Sequence, residues 1–309
     1  MGIIARRYIK DLVHRYDKEI GVPYYSVSDY KDLKQESFSF TNSKGIEIHY
    51  FFYYYDNYKK DRLVLFCPGI GPGHVAYLTE IEWLAKNGYK VLTLDYTGCG
   101  ESKGDNLSSL NMPTLDVMEL LDHLQLSQKI VLFGHSLGAY TALNVINLRK
   151  EITKAVIMSG FLSIEGLLRS GASSKFILSR ILKYEQKMVP QYFNIDNISY
   201  LKKTKDNLLF IHSEDDAIVT YQTSMKVVEE INNPNTKTFK LNNKKHNPNY
   251  STEAVQYLNE VFGKYQEQIK NKTIRTDEDK INYFKDVSLE KLTKQDQIIV
   301  NLIVDFIAK

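Results

Sequence analysis

Cysteine is scarce in this chain, with two residues, Cys67 and Cys99, among 309. Two thiols cannot form the disulfide framework of a small secreted domain, and the sequence has no Cys and His cluster with metal-ligand spacing beside them. Free thiols are typical of a reducing compartment. The sequence therefore predicts a cytoplasmic protein whose cysteines are small buried hydrophobic residues.

An excess of charge of one sign is also missing. The 40 Lys and Arg residues and the 37 Asp and Glu residues give a formal net charge of +3. That excess is too small, on a chain of this size, to favour nucleic acid or an anionic membrane as a partner. Only a local basic patch would revive either partner, and the basic runs at 202–205 and 244–245 are more typical of a solvated surface.

Long hydrophobic runs are absent too. Charged residues interrupt every apolar stretch of residues 1–20, so the continuous apolar segment of a secretory signal is not found there. The most apolar stretch, 298–308, is shorter than a membrane-spanning helix and contains Asn301 and Asp305. It predicts an amphipathic helix rather than a membrane span.

The remaining composition, 43% hydrophobic and 25% charged, is that of a globular protein. Strand-like and helix-like segments alternate between residues 62 and 265, and strands separated by helices indicate parallel neighbours. A hairpin around Gly45 adds two leading strands. We therefore predict an α/β fold: a mostly parallel, doubly wound sheet of about eight strands.

One interval, 161–205, breaks this alternation. Ile177, Ile181, Tyr184 and Met188 fall on one helical face there, which predicts an inserted helical cap. The alternative is a long crossover between two strands. The predicted organisation is an N-terminal helix with lead-in (1–35), an α/β core (36–160 and 206–265), the cap (161–205) and a C-terminal helical extension (266–309).

The sharpest motif is Gly134-His135-Ser136-Leu137-Gly138, which lies between a strand-like and a helix-like segment. A serine on so tight a strand-to-helix turn needs flanking glycines, because a side chain there would collide with the neighbouring chain. The following helix would direct its N-terminus and the Leu137 amide toward negative charge beside the serine. An ordinary helix N-cap is the alternative role for Ser136.

A serine hydroxyl needs a positioned base, and the base needs an acid that fixes its tautomer. One later strand is followed by Glu214, Asp215 and Asp216, and the next is followed by a loop with His246. Both loops follow carboxyl ends of strands, where parallel sheets place their sites. The Gly-rich loop 68–73 would supply a second oxyanion donor, for which we assign the Ile70 amide, with Gly71 as the alternative.

Over about residues 36–265 the chain resembles the α/β-hydrolase superfamily, in its esterase and lipase-like members. The motifs in order are PGIGPG (68–73), DYTGCGES (95–102), GHSLG (134–138), DAIV (216–219) and the late histidine. The resemblance implies that Ser136 is the nucleophile, Asp216 the acid and His246 the base, with 95–102 as a structural turn. It implies no metal or organic cofactor, and serine rather than aspartate at the turn argues against dehalogenase and epoxide hydrolase chemistry.

The expected function is therefore a serine hydrolase that cleaves a carboxylic ester of a small or medium acyl substrate through an acyl-enzyme. The alternatives are a thioesterase, a peptidase or amidase, and a binding protein that kept the fold without activity. The expected partner is a small molecule, with neither nucleic acid nor a membrane span.

Several residues near these motifs have other expected or alternative roles. Asp215 is the alternative acid. His135 is expected to be structural, and His74 to begin a helix or to touch substrate. Lys244 and Lys245 flank the predicted base and would attract an anionic substrate group.

Overall fold

The computed structural model of the chain describes residues 3–59, 61–169 and 174–309. The strands of this part form one eight-stranded sheet in the order β1-β2-β4-β3-β5-β6-β7-β8. The pairs β1–β2 and β2–β4 are antiparallel, and all others are parallel. The predicted fold class is confirmed. The strands are β1 (Lys34–Thr41), β2 (Glu47–Tyr54), β3 (Arg62–Cys67), β4 (Lys90–Leu94), β5 (Lys129–His135), β6 (Lys154–Met158), β7 (Asn207–Ser213) and β8 (Thr236–Leu241).

Helices cover both faces of the sheet. Adjacent β5 residues point into different cores: Leu132 belongs to the core that contains Leu143, and Phe133 belongs to the core that contains Ile303. Strands that are buried on both faces are apolar throughout, so they can be predicted from the sequence. The helices are α1 (Ile3–Asp11), α2 (Leu78–Lys86), α3 (Met112–Leu124), α4 (Leu137–Leu148), α5 (Ile164–Arg169), α6 (Lys175–Met188), α7 (Asn197–Lys203), α8 (Met225–Ile231), α9 (Thr252–Lys270), α10 (Asp277–Phe284), α11 (Leu289–Thr293) and α12 (Gln297–Ala308).

The N-terminal helix occupies only the first third of the segment predicted as a helix with lead-in (1–35). It ends at Asp11, and the backbone beyond it pairs with the turn after β4 through the His14–Asn106 and Tyr16–Cys99 bridges. Arg15 donates to the carbonyl oxygens of residues 100, 102 and 104 at 2.9–3.0 Å. This tertiary pairing overrides the local helical pattern.

Helices α5, α6 and α7 fill the interval between β6 and β7, so the predicted helical insertion is present; its residues 170–173 lie outside the described residues. The predicted apolar face of α6 is only half-buried. The buried positions of this helix are Leu178 and Glu185. The helix is therefore rotated so that a carboxyl group, rather than a fully apolar row, faces the core.

The closing helix α12 is amphipathic, as predicted, and buries Ile303 and Ile307 in the second core. Over the described ranges, no helix combines the length and the apolar character needed to cross a bilayer.

Candidate active site

The turn between β5 and α4 has the strained geometry that the motif predicts. Ser136 has φ 56° and ψ −121°, a conformation that costs energy for any residue with a side chain. A Cβ atom at Gly134 would overlap the carbonyl group of Gly138, and one at Gly138 would overlap the carbonyl oxygen of Cys67. The two glycines are therefore required for the chain to pass through this turn.

The Ser136 hydroxyl faces an imidazole rather than capping α4. Its Oγ lies 2.8 Å from Nε2 of His246, whose Nδ1 lies 2.8 Å from Oδ2 of Asp216. The structure thus brings together three side chains that are 110 and 30 positions apart in the chain. A hydroxyl, an imidazole and a carboxylate in series is the arrangement that can deprotonate an alcohol.

Asp216 is the acid that contacts the imidazole. Its Oδ1 accepts the Ile218 and Val219 amides at 2.9 and 3.0 Å. Burial alone would raise the pKa of Asp216, but hydrogen bonds from His212 and His246 hold that pKa well below its ordinary value. The carboxylate therefore stays ionised and can stabilise a cationic imidazole.

The neighbouring acids have other partners. Asp215 accepts the Ser213 hydroxyl and, at 3.1 Å, the Lys245 amide. Glu214 forms an ion pair with Lys240 at 2.9 Å. The geometry favours Asp216 over Asp215 for the role of the acid.

His212 was missed at the sequence level. Its Nε2 lies 2.8 Å from the Val219 carbonyl oxygen and 3.3 Å from Oδ2 of Asp216. Because a carbonyl oxygen only accepts, the proton of the ring lies on Nε2 and also faces the carboxylate. The sequence feature that could have identified His212 is its position: a histidine at the carboxyl end of the strand that precedes the acid.

His135 links two loops of the site. Its Nε2 lies 2.7 Å from the carbonyl oxygen of His246, and its Nδ1 lies 2.9 Å from the Tyr77 hydroxyl, which accepts the Gly69 amide at 3.1 Å. Burial and the adjacent His246 lower the pKa of His135 to about 3. The ring is therefore neutral, and every donor in this series has a fixed direction: Gly69 to Tyr77, Tyr77 to His135, His135 to His246.

The Ile70 and Leu137 amides remain predicted oxyanion donors. Their positions in the structure are compatible with that role. Leu137 is the first residue of α4, so its amide belongs to the group that a helix leaves without an intrahelical acceptor. Ile70 is half-buried in the loop after β3. The Gly69 amide beside it is already engaged by Tyr77.

His74 is a buried structural residue. Its Nδ1 lies 2.8 Å from Oδ1 of Asp95, which also accepts the His74 amide, and its ring packs against Phe51 at a tilt, with 3.8 Å between the ring centroids. Asp95 accepts the Glu101 amide through its other oxygen at 2.8 Å. These contacts hold the 95–102 turn and account for the burial of His74.

The expectation that Lys244 and Lys245 attract an anionic substrate group is wrong for Lys244. This side chain is 5% exposed, and its Nζ lies 2.7 Å from both Oδ2 of Asp296 and the Tyr250 carbonyl oxygen. Its charge is therefore neutralised inside the protein. Lys245 is exposed and keeps the predicted possibility of attracting an anion.

The comparisons with known proteins agree with this architecture. A family model described as serine aminopeptidase, S33, matches residues 58–206. An esterase from Pyrococcus furiosus superposes with a TM-score of 0.58 at 22% identity, over 83% of this chain and 98% of that one. The chain has the α/β-hydrolase fold, and its sequence is similar to a family of hydrolases over residues 58–206.

The names of other similar proteins indicate different activities. A structure from Butyrivibrio proteoclasticus with bound ferulic acid has a TM-score of 0.58 at 18% identity, over 75% of this chain and 99% of that one. An epoxide hydrolase from Caballeronia sordidicola is 35% identical over 96 residues, 30% of this chain and 29% of that protein. A lysophosphatidylserine lipase from Gallus gallus is 29% identical over 161 residues, 47% of this chain and 40% of that protein. The chain thus spans less than half the length of these two curated relatives.

Proposed function

We propose that this α/β-hydrolase is a serine hydrolase that cleaves a carboxylic ester of a small or medium acyl substrate. The observation that carries the proposal is the unbroken series from Ser136 through His246 to Asp216, with 2.8 Å at each step. Hydrogen-bonded nucleophile, base and orienting acid form the common signature of acyl transfer through serine.

In the first half-reaction, Ser136 Oγ attacks the ester carbonyl carbon while Nε2 of His246 takes the hydroxyl proton. The Ile70 and Leu137 amides donate to the oxygen that becomes negative, a contribution of about 3 kcal/mol for each such donor. Collapse of the intermediate breaks the bond to the alcohol, which leaves with the proton from His246. The ionised Asp216 stabilises the imidazolium between these two transfers.

In the second half-reaction, His246 takes a proton from water, and the resulting hydroxide attacks the acyl-serine. The carboxylic acid leaves, and the proton returns to Ser136 Oγ. Nδ1 of His246 keeps its proton throughout, because Asp216 accepts a hydrogen bond from it in both half-reactions.

The activities of similar proteins support an ester as the substrate and leave one further substrate class open. An esterase and a lipase act on carboxylic esters, whereas the family description names a serine aminopeptidase. Amide hydrolysis by the same serine is therefore the second candidate. The epoxide hydrolase relative is a poorer guide, because a serine stands at the turn.

A cytoplasmic location belongs to the same proposal. Cys67 and Cys99 are buried free thiols, as expected for a reducing compartment. Burial raises the pKa of Cys67 to about 12, so this thiol is not a reactive competitor of Ser136.

The direct test is covalent labelling of the folded protein with a fluorophosphonate, which reacts with activated serines. We expect labelling of the wild type and of Ser179→Ala, an exposed serine of α6, and none of Ser136→Ala. A folded wild type that is not labelled would favour the binding-protein alternative. Turnover of matched esters, thioesters and aminoacyl amides then ranks the bond classes.

A further inference from the structure

The loop that carries the proposed base is short, and most of its residues are buried. We define residues 244–251 as the base loop, which joins β8 to α9. Two turns shape it, from the Asn247 amide to the Lys244 carbonyl oxygen at 3.0 Å and from the Tyr250 amide to the Asn247 carbonyl oxygen at 3.1 Å. These local bonds bend the loop, but they do not fix its position over Ser136.

A distant part of the chain contacts the base loop on both sides of His246. After the histidine, the Ser251 amide donates to the Lys294 carbonyl oxygen at 2.8 Å, and the Asp296 amide donates to the Asn249 carbonyl oxygen at 2.7 Å. Before the histidine, the Lys244 ammonium forms its buried ion pair with Asp296. Residues 294–296, here called the brace, thus hold both ends of the loop.

A buried polar junction joins the base loop and the brace to α2. The Asn249 amide group donates to Oε1 of Gln295 at 2.9 Å and to Oε1 of Glu80 at 2.7 Å. The Gln295 amide group donates to the same Glu80 oxygen at 3.3 Å. Glu80 is 1% exposed, and burial raises its pKa to about 7. The base loop, the brace and α2 therefore meet at this junction. Separating them would leave buried polar atoms without hydrogen-bond partners.

We propose that the brace, through Gln295 and Asp296, positions His246 for the reaction. This inference rests on the proposed function. Gln295 and Asp296 contact the base loop and not Ser136 or His246, so they act as positioning residues. A shift of about 1 Å in a catalytic group can cost roughly a hundredfold in rate, so a loop held at both ends has a direct kinetic value.

The test compares two glutamines of the same segment. Gln295→Ala removes the bonds to Asn249 and Glu80, whereas the control Gln297→Ala removes an exposed contact to Asn301. We expect Gln295→Ala to lower kcat for an activated ester about tenfold with KM within about threefold, because substrate contacts are unchanged. Amide hydrogen exchange over 244–251 should become faster in Gln295→Ala alone.

The outcomes separate this inference from the proposed function. A folded Gln295→Ala protein with wild-type kcat and wild-type exchange in the base loop would overturn the positioning role while the serine hydrolase stands. A wild type that fluorophosphonate does not label would overturn the proposed function and the kinetic role with it. If Gln295→Ala does not fold, Gln295→Met keeps the side-chain volume and serves the same comparison. Failure of both to fold would assign the brace to stability and contradict the proposal.

Discussion

The turn at Ser136 and the helical insertion at 161–205 are held in place by different kinds of contact. At the turn, the close approach of Gly134, Gly138 and the Cys67 carbonyl permits one backbone path. In the insertion, Glu185 of α6 accepts hydrogen bonds from the Tyr8 hydroxyl at 2.7 Å, from the Ser109 hydroxyl, and from the Leu110 amide at 3.1 Å. Steric exclusion thus fixes Ser136, whereas a few long-range polar contacts fix α6.

This difference predicts where substitutions act. Changes around the turn should abolish chemistry or folding, because no alternative backbone path is available. Each change in the insertion should alter stability or selectivity by a limited amount, because each polar contact contributes separately.

The largest effect is expected at the acid of the site. Asp216→Asn should lower kcat by about 10³ to 10⁴, because an amide in place of the carboxylate no longer fixes the His246 tautomer or stabilises its cation. Asp215→Asn is the matched control and should stay within about threefold of the wild type. Steady-state kinetics on one activated ester measures both. A large loss in Asp215→Asn alone would exchange the two assignments.

The next effect concerns the glycines of the two regions. Gly138→Ala should destabilise the protein by about 4 kcal/mol or more, because the new methyl group overlaps backbone. Gly166→Ala in α5 places its methyl 3.1 Å from the end of the Ser163 side chain, which can move. It should stay within about 1 kcal/mol of the wild type. Urea unfolding gives both values, and equal losses would contradict the proposed contrast.

A smaller effect is expected in the pH dependence of stability. Burial raises the pKa of Glu185, although hydrogen bonds from Ser109 and Tyr8 oppose the shift. The native carboxyl group therefore keeps its proton at pH values where the unfolded chain has released it. This term favours folding fully below the ordinary glutamate pKa, and it is lost as the pH rises toward the higher native pKa.

Glu185→Gln removes that titration, so its free energy of unfolding should fall less than that of the wild type over this pH range. Glu165→Gln, an exposed change on α5, should follow the wild-type profile. Urea unfolding at a series of pH values measures all three proteins. Parallel profiles for the wild type and Glu185→Gln would show that the native pKa is not raised.

The smallest effect is expected in selectivity. Ile177→Ala and Ile181→Ala, both half-buried on α6, should change the preference among acyl chain lengths by up to about tenfold. The rate of fluorophosphonate labelling should stay within about twofold. The neighbouring Phe176, which is 61% exposed, provides the control Phe176→Ala. An unchanged chain-length profile in both isoleucine variants would argue against a substrate-shaping role for this insertion.

The same contrast explains what could be read from the sequence. The central strands and the Ser136 turn were predictable, because double-sided burial and local crowding restrict which residues can stand there. The loops that carry Asp216 and His246 were predictable because each follows the carboxyl end of a strand, whereas the choice of Asp216 over Asp215 came from the family resemblance.

Long-range polar partners were not predictable in this way. Lys244 was misassigned because its partner Asp296 lies 52 positions away in the chain. The buried Glu185 accepts a hydrogen bond from Tyr8, 177 positions away. A lone charged residue has no periodic pattern that identifies such a partner, so only the assembled fold reveals whether its charge is solvated or paired.

The one-way series of donors from Gly69 through Tyr77 and His135 to the His246 carbonyl has a practical consequence for protein engineering. It ties the loop after β3 to the base loop, so a substitution chosen to widen the first would also displace the second. Randomised libraries that aim at new substrates should therefore spare 69–77 and 244–251 and sample α5 and α6, which lie outside this series of hydrogen bonds.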